Sequence, residues 1–318
     1  MKERQAPRGL PAPMKTRRVR FASPQMVLCL IQVAPALAAL AVFRYFPVLS
    51  AVWHSFFNWN GFDEGRFTGM ANYGELFSDP VMGTASLNIL AYVVIRVALN
   101  LVFPLLAALL IHHLGSSRAA YPYKALFTVP LVVPTMVVLL VWKFIYNPHD
   151  GILNRFLSFL GAGALARDWL GDFGTAIYAV SGLGFPWVTG IGISGFGMLL
   201  YLAALQGIPS ELYDACAVDG VSGARRLFRL ELPLIARQLY LVALLTVINT
   251  LQTYVPVMVL TSGGPGTASM VPGLYLYLTA FSYDRFGYAC AIGVVMAAVL
   301  AALAAFQSRL NARAESAT

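Results

Sequence analysis

The chain has 318 residues, of which 58% are hydrophobic and 11% charged, with a mean hydropathy of +0.70 and a formal net charge of +8. This composition places it among polytopic membrane proteins before any motif is read. Three cysteines, Cys29, Cys216 and Cys290, form no disulfide framework, and the basic residues follow a membrane topology rather than a nucleic-acid groove.

A helix that crosses the bilayer needs about 20 apolar residues, because each adds about 1.5 Å across a core of about 30 Å. Six stretches qualify, at roughly 27–52, 85–111, 125–146, 175–204, 235–260 and 287–308. The fold class expected is therefore all-α, a six-helix membrane domain over residues 27–310. Residues 1–26 form a basic, proline-containing tail with little to bury, expected to be disordered near anionic lipid. Residues 311–318 form a short C-terminal tail. The first apolar stretch is long and begins about 25 residues in, unlike a signal peptide.

With the N terminus inside, 15 of the 22 lysines and arginines lie on the cytoplasmic side, as the positive-inside rule requires. The acidic residues lean outward, and all 14 can be assigned outside the six spans. Both termini are then cytoplasmic. Arg96 lies near the middle of the second span, where a charge must pair or face water. It either binds polar atoms of a neighbouring helix or meets an anionic solute.

Between the fourth and fifth spans lies IPSELYDACAVDGVSGARRLFRLELP, Ile208 to Pro233. Pro209 and Ser210 start a short helix, with the Ser210 hydroxyl as its cap and Glu211 in the first turn. Asp219-Gly220 stops it, because glycine reaches left-handed angles without steric penalty. Ser222 caps a second helix carrying Arg225, Arg226 and Arg229, and Pro233 ends it. Ala215, Cys216 and Ala217 are small enough for another protein to approach closely. By the charge argument this loop is cytoplasmic.

This segment resembles the EAA loop of the permease subunits of binding-protein-dependent ABC importers, with Asp214-Ala215-Cys216 for E-A-A, Asp219-Gly220 for D-G, and Leu230-Glu231-Leu232-Pro233 for the closing I-x-L-P. Asp214 is one methylene shorter than the family's glutamate, the presumed ion-pair partner of the ATPase. FTGMANYGELFSDP (67–80), VPLVVPTMVVLLVWKFIYNP (129–148), DGILN (150–154), LTSGGPG (260–266) and RFGYACAIGVVM (285–296) point to the carbohydrate-uptake branch, similar to maltose and glycerol-phosphate importer permeases. The resemblance implies a multi-pass subunit of the bacterial inner membrane. Its partners would be a second homologous permease, two ABC ATPases, a solute-binding protein and membrane lipid, with no nucleic acid. Coupling to the ATPase would fall to Glu211, Asp214, Ala215, Cys216, Asp219, Gly220, Arg225, Arg226 and Pro233.

The chain has four lysines, none after a glycine, so it carries no P-loop. It would bind no cofactor or metal, would not be an enzyme itself, and would rely on ATP and Mg on the partner. An ion-coupled carrier, which often places carboxylates in the membrane, is the rival from another class. Within the ABC reading, a phosphorylated polyol or an amino acid competes with sugar.

Thr246, Asn249, Thr250 and Thr253 share one helical face in the fifth span and suit either a hydroxyl-rich solute or interhelical hydrogen bonds. By resemblance they fall on or beside the sugar-contacting stripe, as do Gly192, Ile193 and Phe196 in the fourth span. Gly263, Gly264, Pro265 and Gly266 lie in an outer loop whose family counterpart reaches toward the binding protein. The solute, the division of binding between two permeases, and whether the pair is homo- or heterodimeric are not encoded in these motifs.

Overall fold

A computed structural model describes residues 24–114, 117–184 and 194–315. The chain divides into two units, residues 1–50 and 51–318. In the first, α1 (Pro24–Leu40) runs through a wide π turn (Ala41–Tyr45) into α2 (Phe46–His54). Pro47 explains the widening: its ring would strike the carbonyl four residues back in a regular α-helix. All residues from Leu28 to Leu49 are exposed, in an apolar helix long enough to cross a membrane.

The second unit opens with a hairpin, β1 (Phe57–Asn58) and β2 (Arg66–Phe67), antiparallel with Phe57 opposite Phe67. Helix α3 (Ala71–Ser78) is tied beneath it, the Asn72 amide donating to the Ser55 and Phe57 carbonyls at 2.8 and 2.9 Å. Helix α4 (Pro80–His113) follows, 34 residues and about 50 Å long. Beside Ala107 and Leu109, buried near its C-terminal end, the buried positions Ala85, Ile89, Tyr92, Arg96, Asn100, Pro104, Ala108 and Ile111 recur every three or four residues. That is the period of one helical face. Leu87, Leu90, Val94 and Leu110 on other faces are exposed.

Two apolar clusters divide along α4. One joins Ala85, Ile89 and Tyr92 to Leu139, Val180, Leu183 and Leu274; the other joins Ala107, Ala108 and Ile111 to Met198, Tyr201, Leu205, Ile235 and Val242. Lipid tails are as apolar as these side chains, so close packing and internal hydrogen bonds hold such a bundle.

The spans read as continuous helices are broken. The third is α5 (Ser117–Thr128), a 3-10 turn (Val129–Val132) and α6 (Thr135–Ile145), bent by 100°. Pro130 and Pro134 supply no backbone N–H, and Val133, before a proline, is extended at φ −71°, ψ 128°. After α7 (Ile152–Phe159), the fourth begins as α8 (Ala176–Ser181), turns at Gly182–Gly184, and resumes as α9 (Ser194–Gln206).

The loop helices are α10 (Ser210–Val218), α11 (Gly223–Arg226), a second π turn (Leu227–Glu231) and α12 (Leu232–Leu234). Three expectations change here. Pro209 is the cap position of α10, and Ser210, its first helical residue, makes no capping bond; Ser222 occupies the cap position of α11 but its hydroxyl makes no capping bond either. Pro233 does not stop the helix: the π turn accommodates it, as at Pro47, and the break falls at Ile235, where the axis bends by 70°.

The fifth span is α13 (Ala236–Leu251), which ends before Thr253, and α14 (Val255–Leu260), restarted with Pro256 in its first turn. Helix α15 (Pro272–Phe281) occupies part of the stretch left between the fifth and sixth expected spans, and α16 (Phe286–Glu315) is the last span. Among the described residues three helices are long and apolar enough to cross a membrane, or five if each bent pair counts as one.

Candidate functional site

The segment after α9 presents a bare helix. Glu211, Asp214, Ala215, Asp219 and Gly220 are exposed, as are Arg225 and Pro233, while Tyr213 and Cys216 are partly buried. Gly220 stops α10 at φ +67°, with the Val221 amide donating back to the Cys216 carbonyl at 2.8 Å. This is the glycine-terminated helix end expected from Asp219-Gly220.

Behind the bare face lies an ionic cluster that sequence reasoning missed. The Glu231 carboxylate is 2% exposed, and its Oε1 lies 3.2 Å from both Arg226 Nε and His113 Nε2. His113 Nδ1 is 2.8 Å from the Leu109 carbonyl and takes the donor role, which leaves Nε2 to accept from Arg226 Nη2 at 2.5 Å. The Arg226 guanidinium also lies 5.4 Å from the Tyr213 ring centroid, and the Tyr213 hydroxyl lies 3.2 Å from His112 Nε2. Burial, and then the Glu231 charge, push the Tyr213 hydroxyl above its usual pKa. The one signal in the sequence was a carboxylate set between two leucines, Leu230 and Leu232.

Midway along α4, Arg96 is buried and donates to the Leu183 carbonyl at 2.7 Å, just beyond the end of α8. One turn later Asn100 donates to Thr246 Oγ1 at 3.5 Å, and Thr246 donates to the Val242 carbonyl at 2.7 Å. Thr246 and Thr250 are buried, whereas Asn249 is exposed with its amide on the Leu245 carbonyl. Thr253 lies beyond the helix end and donates to the Asn249 carbonyl at 2.9 Å. The four polar residues thus occupy different environments. Phe196 is 49% exposed on α9, and Gly192 and Ile193 lie outside the described residues. A cavity of about 1000 Å³ is walled by Ile95, Leu99, Val133, Val137 and Trp142 and includes none of this stripe.

At the N-terminal end of α4, Asp79 caps the helix through Oδ1, which accepts from the Val81 amide at 2.8 Å and the Met82 amide at 3.4 Å. Its Oδ2 accepts from the Tyr275 and Tyr288 hydroxyls at 2.5 and 2.8 Å. Burial works against the charge, but these hydrogen bonds prevail and hold the carboxyl below its ordinary value. Arg285 makes a two-pronged pair with Glu75 at 2.8 and 2.6 Å. The Gly263–Gly266 loop is folded tightly nearby. Gly263 and Gly266 take φ +88° and +56°, and the Asn88 amide of α4 donates to the Thr267 and Met270 carbonyls. A cleft of about 380 Å³ beside the loop is lined by Lys143, Asn147, Asp168, Thr261, Gly264 and Pro265. Among the described residues no group of His, Cys, Asp and Glu is placed to hold a metal ion.

Residues 115–316 match the family described as binding-protein-dependent transport system inner membrane component. The chain is 34% identical over 276 residues to a probable ABC transporter permease protein, YurN, of Bacillus subtilis, covering 86% of this chain and 92% of that one. It is 30% identical over 307 residues to the diacetylchitobiose uptake system permease protein NgcF of Streptomyces coelicolor, covering 93% and 86% respectively. In architecture it is similar to a chain of a bacterial ABC transporter involved in the import of the acidic polysaccharide alginate. That match has a TM-score of 0.76 at 21% identity and covers 91% of this chain and 96% of that one.

Proposed function

Because the chain belongs to the binding-protein-dependent transport system inner membrane component family, we propose that it is the permease subunit of an ATP-driven importer that carries a saccharide or related polyol into the cytoplasm. The observation that carries this reading is the bare helix Ser210–Val218, ended by Gly220 and seated within the family-matched region. A helix with an exposed acidic and small-residue face is suited to docking in a cleft of another protein. The saccharide class draws on the diacetylchitobiose relative. The Leu183 carbonyl against Arg96 supports an uncharged solute over a phosphate ester or amino acid, since this cation already serves the protein's own backbone.

In this reading ATP and Mg bind to two partner ATPases, which grip the segment from Glu211 to Arg229, through Asp214, Ala215, Cys216, Asp219 and Gly220 with Arg225 and Arg226 behind. ATP-driven closure of those subunits moves the segment as a rigid lever and switches the pathway between inward and outward access. The charge bias puts this loop and both termini in the cytoplasm of a bacterial inner membrane. The Asp79 end then faces outward, where Gly263–Gly266 meets a solute-binding protein. A second homologous permease completes the pathway.

Gentle purification from the native membrane tests the reading. A P-loop ATPase, a second six-span permease and a binding protein with a bound saccharide should come with the chain. Recovery of an intact homo-oligomer that transports without ATP would overturn it.

A further inference from the structure

We infer that Glu231 is a positioning residue that fastens the coupling segment to the C-terminal end of α4, so that the two move as one body. The inference rests on the coupling role proposed above and names the joint through which that role would act. Three elements meet at the carboxylate. His113 is the last residue of α4, Arg226 closes α11, and Glu231 closes the π turn that follows. A π turn adds a residue to the helical ring and shifts the following side chains by roughly 100° about the axis. Here it delivers Glu231 to the inside, where the side chain is 2% exposed, while Arg229 and Pro233 on either side of it stay exposed.

The carboxylate is held by the Arg226 charge 3.2 Å away rather than by a hydrogen bond to Oε1, and removing it leaves the Arg226 cation without its counter-charge. Arg226 faces Glu231 Oε1 through Nε at 3.2 Å and donates from Nη2 to His113 Nε2 at 2.5 Å, so the guanidinium links the carboxylate to α4. The Tyr213 hydroxyl on His112 and the Tyr213 ring under Arg226 extend this link to α10. On the other side, α4 carries Arg96 and Asn100, which bind the end of α8 and Thr246 of α13. A pull on α10 therefore passes through these contacts to the end of α4 and along that helix to the polar contacts in the middle of the bundle. Backbone alone would be a loose link, because Gly220 after α10 and Gly223 at the start of α11 both sit at positive φ.

The test uses the assembled transporter with its ATPases, in a background with the three native cysteines replaced by alanine. Spin labels are placed at Val218→Cys and Leu110→Cys, positions 89% and 72% exposed. Distances are measured without nucleotide and trapped with ADP and vanadate. With Glu231 present, one narrow distribution with the same centre in both states is expected. Glu231→Gln should shift or split the distribution in the trapped state, and Glu231→Asp should restore it. A role in folding alone would lower the yield without changing the distance in the surviving complexes. Should Glu231→Gln not assemble, His113→Ala must produce the same shift. An unchanged distribution in these variants overturns the inference and leaves the coupling reading standing. A Val218 label that gains no immobilisation from the ATPase overturns the coupling reading itself.

Discussion

The two ends of α4 are built differently. At the N-terminal end Asp79 satisfies two amides of its own helix and two tyrosine hydroxyls from α15 and α16, while Gly287 donates its amide to the Trp59 carbonyl at 2.9 Å. The partners of Asp79 belong to α4, α15 and α16, and these helices close on one another. At the C-terminal end the buried Glu231 faces Arg226, which also donates to the half-exposed His113, and the loop around it turns on glycines and a π turn. One end has the chemistry of an anchor and the other that of a handle. A lever that must switch a membrane pathway needs both.

The sharpest way to break the handle is Gly220→Pro. Proline fixes φ near −65°, and Gly220 sits at +67°, so the end of α10 must rebuild. ATP hydrolysis by the assembled transporter should persist while binding-protein-dependent uptake falls to background, with the subunit still inserted; normal coupled uptake would remove the handle from the comparison.

The anchor should break as a loss of stability. A Cβ at Gly287 would lie 1.9 Å from the Phe57 carbonyl oxygen, so Gly287→Val must push α16 off the hairpin. The expected cost is about 3 kcal/mol, read as a lower thermal midpoint in detergent, with uptake per ATP unchanged in the surviving transporters. Asp79→Ala removes a cap and two hydroxyl contacts and should cost about 2 kcal/mol by the same assay.

The Asp79 effect has a defined pH window. Its carboxyl titrates below the ordinary 3.8, so its contribution is full above that value and is lost as pH falls through the lowered one. The stability gap between the native chain and Asp79→Asn should hold steady from neutral pH to about 5 and narrow only below about 4. A gap that narrows near pH 6 would mean another group controls this end. The smallest effect belongs to Arg285→Gln. Glu75 and Arg285 are nearly half-exposed, so even a two-pronged pair should contribute about 0.5 kcal/mol or less, and salt should diminish it.

Much of the architecture was legible because bilayer thickness demands long apolar stretches and the backbone must satisfy its own hydrogen bonds. The buried stripe of α4 and the glycine stop at Gly220 follow from local rules. The interruptions at Pro130, Pro134 and Pro256 were written in the sequence too, but an apolar run reads as one span whether or not its axis bends. Helix α15 was overlooked for the opposite reason: ten residues are too few to count as a crossing. The segment Ile208 to Pro233 was visible as a charged island between apolar spans, whereas the polar stripe of the fifth span was only half legible. Helical periodicity aligned Thr246, Asn249, Thr250 and Thr253, but their environments depend on which neighbours pack there, and α13 ends before the last of them.

By itself, then, the sequence determined an all-helical membrane chain, its succession of apolar segments and the exposed segment between the fourth and fifth of them. Each of these depends on local composition and short-range backbone preference. Only the tertiary structure decided that Asp79 binds Tyr275 and Tyr288, that Arg96 reaches Leu183, and that Glu231 lies beside Arg226 and His113. These partners are separated by 196 and 209, 87, and 5 and 118 positions in the chain. A buried charge is satisfied by whatever group the fold brings within about 3 Å of it, and residue order does not specify that distance.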